Sequence, residues 1–330
     1  MRRTRIIGTG SYLPERVVSN EEVARTLGLE PSRVSDLTGI HERRWVSEEQ
    51  ASSDLAVEAG KKALSAAGLA PVAIDAVIVS TTSPDMLFPS TACHVQRKLG
   101  CVGGAAFDVA ASCSGFLYAL SMADVMVRGG QVRQCLVIAA EVKSRVLDPT
   151  DVDTALLFGD GAGAVVVRGE EGQGGPDRGI LGIRLQADGA KHDLIGISVG
   201  GSRRPARPDT VGVQALTMRM QGASLFRLAV RKLEEAIRDM MKEFGVGWDQ
   251  VAQLVLHQAN GRILARLTER LGVPEEKVCS VIGRYGNTSS ASLPIALDHA
   301  VRAGRIQSND LVVLGSFGGG ITWATGLVRW

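Results

Sequence analysis

Apolar residues follow two alternating patterns along the chain, short continuous runs and longer helical stripes. The runs, at 75–82, 134–141, 253–258 and 310–316, are typical of strands buried on both faces of a sheet. Stripes with helical spacing occur around 53–67, 90–99, 222–244, 261–271 and 292–303. Strands that alternate with helices predict an α/β protein whose mostly parallel sheets are covered by helices.

Polar and glycine-rich stretches separate these elements. Residues 31–47 are polar and irregular, which predicts a loop, and 169–179 and 200–212 are loops rich in Gly, Pro and Arg. Gly159–Gly163 lacks the Lys and Ser/Thr of a phosphate-binding loop and precedes a strand, so we expect a simple tight turn there.

The order and spacing of the elements repeat once. Val77 and Cys113 are 36 residues apart, and Leu254 and Asn287 are 33 residues apart. A strand centred 24 residues after Cys113 and another 25 residues after Asn287 continue the match. We therefore predict two duplicated halves, residues 1–175 and 176–330, whose equivalent turns bring Cys113 and Asn287 together.

Composition excludes several classes of protein. The 330 residues carry a net charge of +2, which argues against a nucleic-acid-binding surface built on bulk charge. Five scattered cysteines give no disulfide framework or metal-binding pair and fit a reducing cytoplasm. No apolar run is long enough for a signal peptide or a bilayer span, so we expect a soluble, cytoplasmic protein that binds no membrane.

Cys113 is the first candidate for chemistry. It lies between a strand-like stretch and a helical stripe that includes Phe116 and Leu120, so it is expected at a helix N-terminus. The partial positive charge there favours a thiolate, which makes cysteine a nucleophile. The alternative is an inert buried thiol, because free cysteine is among the most buried residue types.

Two further candidates follow strands in the second half. His257 ends a buried strand, where reactive groups of α/β proteins gather, and Asn287 lies in a Gly-Asn turn. Each also has a structural interpretation, as a hydrogen-bonded core histidine and a turn residue. Together with Cys113 they suit thioester chemistry: the thiolate accepts an acyl group, while His257 and Asn287 hold an enolate formed by loss of carbon dioxide.

The chain resembles β-ketoacyl-acyl-carrier-protein synthase III, the initiating condensing enzyme of dissociated fatty acid synthesis. The resemblance covers nearly the whole chain and is carried by seven segments: Ile7–Pro14, Thr38–Ile40, Phe107–Phe116, Phe158–Gly163, His257–Asn260, Gly286–Ser289 and Ser316–Gly320. It implies a thiolase-like fold, in which two βα halves form α-β-α-β-α layers. It also implies an acyltransferase that condenses an acyl primer with malonyl-acyl-carrier protein.

The resemblance also implies residue roles. Cys113 is the acylated nucleophile, His257 and Asn287 promote decarboxylation, and the amides of Cys113 and Gly319 form an oxyanion hole. Phe158 and Phe317 match acyl-channel positions, and Phe88 matches a residue that enters the partner's channel in a homodimer. Arg262 and Arg227 match or extend a docking site for acyl carrier protein, whereas Arg266 and Arg270 are expected on a solvated helix face. No metal or separate cofactor is implied beyond coenzyme A or carrier-bound phosphopantetheine.

The chain departs from this family where its members stack the adenine of coenzyme A. The expected aromatic and arginine positions hold Arg33, Leu37 and Val152, and an asparagine is replaced around Ala223. Arg33, Arg203, Arg204 and Arg207 remain as candidate phosphate ligands. These departures leave open the primer, its chain length and whether coenzyme A or a carrier protein delivers it.

Three other functions stay open from the residues. One is an acyltransferase of specialised metabolism that forms an ester, amide or β-diketone without standard acetyl-CoA priming. A second is a Cys-His-Asn peptidase, although the local signature around the cysteine of papain-like enzymes is absent. The third is a silent partner of another condensing enzyme, which the retained Cys113, His257 and Asn287 disfavour.

Overall fold

The computed structural model describes residues 2–171, 178–207 and 216–330. Within these ranges the chain forms two five-stranded sheets and two short ribbons. The predicted boundary between residues 175 and 176 lies outside the described residues and stays a prediction.

The first sheet is built from the first half of the chain. Its strand order is β1-β7-β6-β4-β5. Its strands are β1 (Arg2–Tyr12), β4 (Ala76–Ser80), β5 (Ala105–Val109), β6 (Gln134–Glu141) and β7 (Gly161–Glu171). Every residue of β4 and β6 is buried, as their continuous apolar sequences predicted.

The second sheet has the same order in the second half, β8-β14-β13-β11-β12. Its strands are β8 (Gly179–Ala187), β11 (Val251–Leu256), β12 (Val278–Cys279), β13 (Leu311–Gly318) and β14 (Thr322–Arg329). Each strand of the second sheet has a counterpart at the same position in the first sheet, so the predicted repeat of elements is present. The counterparts are β8 and β1, β11 and β4, β12 and β5, β13 and β6, and β14 and β7.

Both sheets are mixed, and the expectation of mostly parallel sheets was wrong. In each sheet two neighbouring pairs are parallel and two are antiparallel. In two of the four antiparallel pairs the strands follow each other along the chain without a long helix between them: a turn connects β13 to β14, and only short helical segments lie between β6 and β7. The alternation of strand and helix therefore breaks at the end of each half.

Helices complete five layers. The described helices are α1 (Asn20–Leu27), α2 (Pro31–Thr38), α3 (Ser52–Ala67), α4 (Thr91–Leu99), α5 (Gly115–Arg128), α6 (Val152–Ala155), α7 (Gly222–Phe244), α8 (Gly261–Leu271), α9 (Ile282–Tyr285) and α10 (Ser292–Arg302). Helices α3 and α4 cover the outer face of the first sheet, and α7 and α8 cover that of the second. Helices α5 and α10 lie between the sheets, where Phe116, Leu120 and Leu297 are fully buried.

Residues 31–47 are not an irregular loop. They form α2 and the strand β3 (Glu42–Trp45), which pairs with β2 (Arg16–Ser19). The apolar stripe of α2 is short because the helix packs on a small satellite cluster. Its stronger sequence signals are Pro31 in the first turn and Gly39, whose φ of 70° ends the helix. The other ribbon joins β9 (Ile195–Gly196) and β10 (Arg219–Met220).

The cysteines and the helices can be compared with the disulfide-bonded and membrane-spanning classes that composition excluded. All five cysteines are free thiols. In the described ranges, no helix has the length and apolar character needed to cross a membrane.

Candidate active site

The three candidate residues for chemistry line one cavity of about 460 Å³. Cys113 lies in the turn before α5, His257 directly follows β11, and Asn287 lies in the loop before α10. All three are at most 7 % exposed and belong to the buried part of the cavity lining. The remaining wall is largely apolar and includes Leu156, Leu157, Phe158, Ile195, Met220, Leu225, Phe226, Ile263 and Phe317.

Cys113 occupies the predicted strand-to-helix turn. A short 3₁₀ turn over Ser112–Ser114 precedes α5, and Ser112 has a φ of 49°. Its counterpart in the second half is the 3₁₀ turn Ser289–Ala291 before α10, where Ser289 has a φ of 52°. The structural equivalent of Cys113 is therefore Ser290, and Asn287 lies three residues earlier than the spacing predicted.

The groups around the Cys113 thiol act on its pKa in opposite directions. Burial raises its pKa above the ordinary value, which is opposite to the lowering expected from a helix N-terminus. A hydrogen-bonding contact of 3.4 Å between Cys113 Sγ and Ser289 Oγ and the positive charge of Lys143 act in the lowering direction. The negative charge of Glu141 raises the pKa further.

His257 is held as a neutral donor. Burial lowers its pKa to about 3. Its Nδ1 lies 2.5 Å from Ser292 Oγ. The same oxygen accepts a hydrogen bond from the backbone N–H of Gln258 at 3.1 Å. Because the Ser292 hydroxyl proton finds its acceptor at Nδ1, we assign the hydrogen of His257 to Nε2, where it serves the cavity.

Asn287 is oriented by its own loop. Its Oδ1 accepts the backbone N–H of Ser289 at 2.8 Å, and its Nδ2 donates to the carbonyl of Ala259 at 3.3 Å. With Oδ1 used as an acceptor, the second Nδ2 hydrogen remains for the cavity. Asn287 and His257 thus each offer one donor to the same space.

The glycine-rich turn after α6 holds the Asn287 backbone. The N–H of Asn287 donates to Leu157 at 2.8 Å, and the N–H of Gly159 donates to the Asn287 carbonyl at 3.1 Å. A Cβ at Gly159 would lie 2.5 Å from the Tyr285 carbonyl oxygen, so only glycine allows this approach. The turn was predicted, but its contact with Asn287 was not.

The end of β13 brings its backbone against the nucleophile. A Cβ at Gly318 would lie 2.6 Å from the Cys113 backbone nitrogen, so the two main chains touch. Gly319 lines the cavity beside Cys113. This placement is compatible with the pair of amides expected to bind an oxyanion.

The other predicted site residues divide by location. Phe158 and Phe317 line the cavity and are almost fully buried. Phe88 is 86 % exposed and is not among the described residues that line the cavity. Its expected role in the channel of a partner subunit stays a prediction.

The mouth of the cavity contains both the expected arginines and the replaced family positions. Arg227 and Arg262 are exposed residues of its lining, as are Val152 and Ala223. Leu37 also lines it, whereas Arg33, Arg203, Arg204 and Arg207 are exposed residues outside the described lining. Residues 208–212 of the predicted 200–212 loop lie outside the described residues.

Arg266 and Arg270 lie on the surface of α8, as expected. Arg266 pairs with Glu269 and Arg270 pairs with Glu234 at 2.5 Å. This face therefore carries ion pairs instead of extending the cavity.

Four polar residues that support the site were not predicted from the sequence. These residues are Glu141, Lys143, Ser289 and Ser292. Glu141 ends the buried strand β6 much as His257 follows β11, and a charged residue at the end of an apolar run was the available signal. Among the described residues no cluster of His, Cys, Asp and Glu could hold a metal ion.

The chain is similar to known proteins over its whole length. The family model "3-Oxoacyl-[acyl-carrier-protein (ACP)] synthase III" matches residues 107–189, and its C-terminal counterpart matches residues 241–330. The chain is 47% identical over 330 residues to Beta-ketoacyl-[acyl-carrier-protein] synthase III of Rhizorhabdus wittichii, with 100% of both chains covered.

Solved structures match over the same length. The 3-oxoacyl-[acyl-carrier-protein] synthase III of Aquifex aeolicus has a TM-score of 0.88 and 40% identity, covering 99% of this chain and 100% of its own. The corresponding Thermus thermophilus structure has a TM-score of 0.90 and 39% identity, covering 99% of each chain. These matches confirm the predicted thiolase-like fold.

Proposed function

The chain belongs to the 3-oxoacyl-[acyl-carrier-protein] synthase III family of condensing acyltransferases, and we propose that Cys113, His257 and Asn287 carry out its reaction. The reaction is the decarboxylative condensation of an acyl primer with malonyl-acyl-carrier protein, which initiates fatty acid synthesis. The observation that carries the proposed roles is the meeting of these three side chains at the buried end of one apolar cavity.

In the first half-reaction, the Cys113 thiolate attacks the carbonyl carbon of the primer thioester. A new carbon–sulfur bond forms, the bond to the donor sulfur breaks, and the donor leaves as a thiolate that takes a proton from water. The amides of Cys113 and Gly319 bind the oxyanion of the tetrahedral intermediate. Phe158 and Phe317 form part of the apolar wall along the acyl group.

In the second half-reaction, the malonyl thioester loses carbon dioxide and becomes an enolate. The electron pair of the broken carbon–carbon bond moves toward the thioester oxygen, where His257 Nε2–H and Asn287 Nδ2–H donate hydrogen bonds. The enolate carbon then attacks the acyl group on Cys113 and releases the thiolate. A neutral histidine suits this role because it can donate without first losing a proton to the substrate.

The competing functions are less favoured. The full-length relatives are named as synthases of this condensing class, which favours decarboxylative condensation over transfer to an ester, amide or β-diketone. The same similarity counts against a peptidase and against a silent partner.

Both substrates enter through the mouth of the cavity. Arg262 and Arg227 are exposed there and provide positive charge for an acidic acyl carrier protein. Acyl-coenzyme A or another acyl thioester supplies the primer. A cytoplasmic location and the absence of a metal or other cofactor stay predictions of the sequence.

We further propose a homodimer formed through the edge of the first sheet. Strand β5 is the last strand at that edge, and its residues are exposed or half-buried. Nearby in sequence, Leu87 is 88 % exposed, Phe88 86 % and Val102 75 %, which are unusual values for large apolar side chains. A dimer is the result expected from light scattering, and a fully active monomer would contradict it.

Acylation of Cys113 tests the assigned nucleophile. The protein is incubated with isotope-labelled acyl-coenzyme A and with the same acyl group on carrier protein, and the label is located by peptide mass spectrometry. We expect one acyl group on Cys113 and none on the exposed thiol of Cys93. An unlabelled Cys113 with every donor would contradict the proposal, and the preferred donor identifies the natural handle.

A further inference from the structure

A buried ion pair lies behind the nucleophile. Glu141 at the end of β6 is fully buried, and the side chain of Lys143 is 7 % exposed, with 3.0 Å between Nζ and Oε2. Neither belongs to the described lining of the cavity. Lys143 Nζ also donates to Thr82 Oγ1 at 2.5 Å. Burying two charges is costly unless they are paired and hydrogen-bonded, and this pair is both.

Hydroxyl groups connect this ion pair to Cys113. Ser289 Oγ lies 3.2 Å from Glu141 Oε1 and 3.4 Å from Cys113 Sγ. Ser290 Oγ donates to the same Glu141 oxygen at 2.8 Å, and Ser83 Oγ donates to Oε2 at 2.6 Å. Although burial raises the pKa of Glu141, the charge of Lys143 and these hydrogen bonds outweigh it and hold the pKa below its ordinary value.

The hydroxyl proton of Ser289 can point in two directions. The ionised Glu141 can only accept, and Ser289 has one hydroxyl proton. When Cys113 is a thiol, Ser289 donates to Glu141 and accepts the S–H. When the sulfur is a thiolate, Ser289 turns its proton to the sulfur, and Glu141 keeps its other donors.

We propose that Lys143, Glu141 and Ser289 form a positioning relay that holds the Cys113 sulfur and follows its change of charge. Lys143 supplies the positive charge that offsets Glu141, so that the thiolate forms beside a nearly neutral pair. The inference rests on the proposed role of Cys113 as nucleophile. Glu141 and Lys143 are positioning residues, because they act on the sulfur through Ser289 and through their charge and are not in contact with the substrate.

The other charged groups around Cys113 do not replace this pair. His257, on the element that packs across the cavity, is neutral because burial lowers its pKa to about 3. Asp153 on α6, Arg227 on α7 and Arg262 on α8 line the exposed mouth, where solvent screens them.

Alkylation of Cys113 by iodoacetamide tests the relay without any acyl substrate. The pH dependence of the rate is followed on the Cys113 peptide by mass spectrometry, which separates it from the exposed Cys93. Lys143→Met leaves the Glu141 carboxylate without its positive partner. We therefore expect the midpoint of the pH–rate profile to rise by about one pH unit and the alkylation rate at neutral pH to fall about tenfold. Glu141→Gln should lower the midpoint, and Ser289→Ala should raise it.

Matched variants make the result decisive. Lys143→Arg keeps the charge and should retain the parent profile, as should Lys61→Met, which removes an exposed lysine paired with Glu58 on α3. If Lys143→Met does not fold, the effect of losing Lys143 is measured in a background without the buried carboxylate. The midpoint of the pH profile is then compared between Glu141→Gln and the double variant Glu141→Gln/Lys143→Met. There the loss of Lys143 should raise the midpoint.

Two outcomes overturn the relay. One is that the profiles of Lys143→Met and Glu141→Gln superimpose on the parent, and the other is that they shift in the same direction. Either result would leave the proposed condensation intact, since that is measured by acyl transfer to Cys113. Conversely, the predicted shifts with no acyl transfer to Cys113 would support the relay and contradict the proposed function.

Discussion

At the scale of single residues, each side chain of the site is fixed by a hydrogen bond on the face turned away from the cavity. Ser292 occupies Nδ1 of His257, and the backbone N–H of Ser289 occupies Oδ1 of Asn287. Each contact leaves one N–H for the cavity. The chemistry therefore depends on second partners that define which atom of His257 and Asn287 is the donor.

Substitution should separate the two half-reactions. Cys113→Ser should abolish acyl transfer while retaining decarboxylation of malonyl-carrier protein, because the donors remain. His257→Ala or Asn287→Ala should slow decarboxylation by about 10²–10³-fold, the usual cost of one oxyanion donor, and leave Cys113 able to accept an acyl group. Carbon dioxide release and intact-protein mass measure the two steps separately. A His257→Ala variant impaired only in acylation would contradict these roles.

The buried His257 should also make stability depend on pH. Its pKa falls from 6.5 to about 3 on burial, so between these values the unfolded chain binds a proton that the folded chain does not. Stability contributed by the neutral imidazole is present above pH 6.5 and is lost as the pH falls toward 3. Between pH 6.5 and pH 5 this amounts to about 2 kcal/mol.

The thermal midpoint at pH 7 and at pH 5 measures this loss. The parent should lose more than His257→Gln, which keeps a side chain of similar length but has no titrating group. Carboxylates contribute equally to both proteins, so the difference isolates His257. An equal loss in the two proteins would contradict the assigned burial of a neutral imidazole.

At the scale of elements, the site depends on contact between turns from opposite halves. The turn at 157–159 pairs with the backbone of Asn287, and β13 ends at Gly318, which touches the Cys113 backbone. Trp45 of β3 donates from Nε1 to the Phe158 carbonyl at 3.2 Å and supports the same turn. Glycine occupies positions 159 and 318 because the close approach leaves no room for a Cβ atom at either position.

Gly159→Ala tests this contact. The added Cβ would lie 2.5 Å from the Tyr285 carbonyl and must displace the turn that holds Asn287. We expect a loss of about 1–3 kcal/mol of stability, a lower thermal midpoint and slower decarboxylation. Gly189→Ala is the matched control, because a Cβ there has open space and its φ is ordinary. Similar behaviour of the two variants would show that the turn does not position Asn287.

At the scale of the whole molecule, the repeat explains why the sequence predicted so much of the fold. Buried strands such as β6 are continuous apolar runs, and their spacing repeats in both halves. Strand direction was missed because it depends on the connection at the end of each half, and α2 was missed because few apolar residues mark its buried face. Cys113, His257 and Asn287 were singled out because each follows a predicted strand, whereas the contact between Ser289 and Glu141 joins residues 148 positions apart in the sequence.

The charged mouth should govern encounter with the carrier protein. Arg262→Glu should raise KM for malonyl-carrier protein about tenfold or more and weaken its salt dependence, because it replaces an attracting charge with a repelling one. Acylation by a small N-acetylcysteamine thioester should be nearly unchanged. Arg266→Glu, on the same helix but paired with Glu269 outside the cavity lining, is the control. Equal effects of both substitutions would contradict a specific docking role for Arg262.

The most direct measurement is the stoichiometry of one turnover. Protein carrying an acyl group on Cys113 is mixed with malonyl-carrier protein labelled in its free carboxyl group, and carbon dioxide and the carrier product are counted together. We expect one carbon dioxide released for each β-ketoacyl-carrier protein formed, with no condensation product from Cys113→Ser. Release of the acyl group from Cys113 to an alcohol, an amine or water, without carbon dioxide or chain extension, would contradict it.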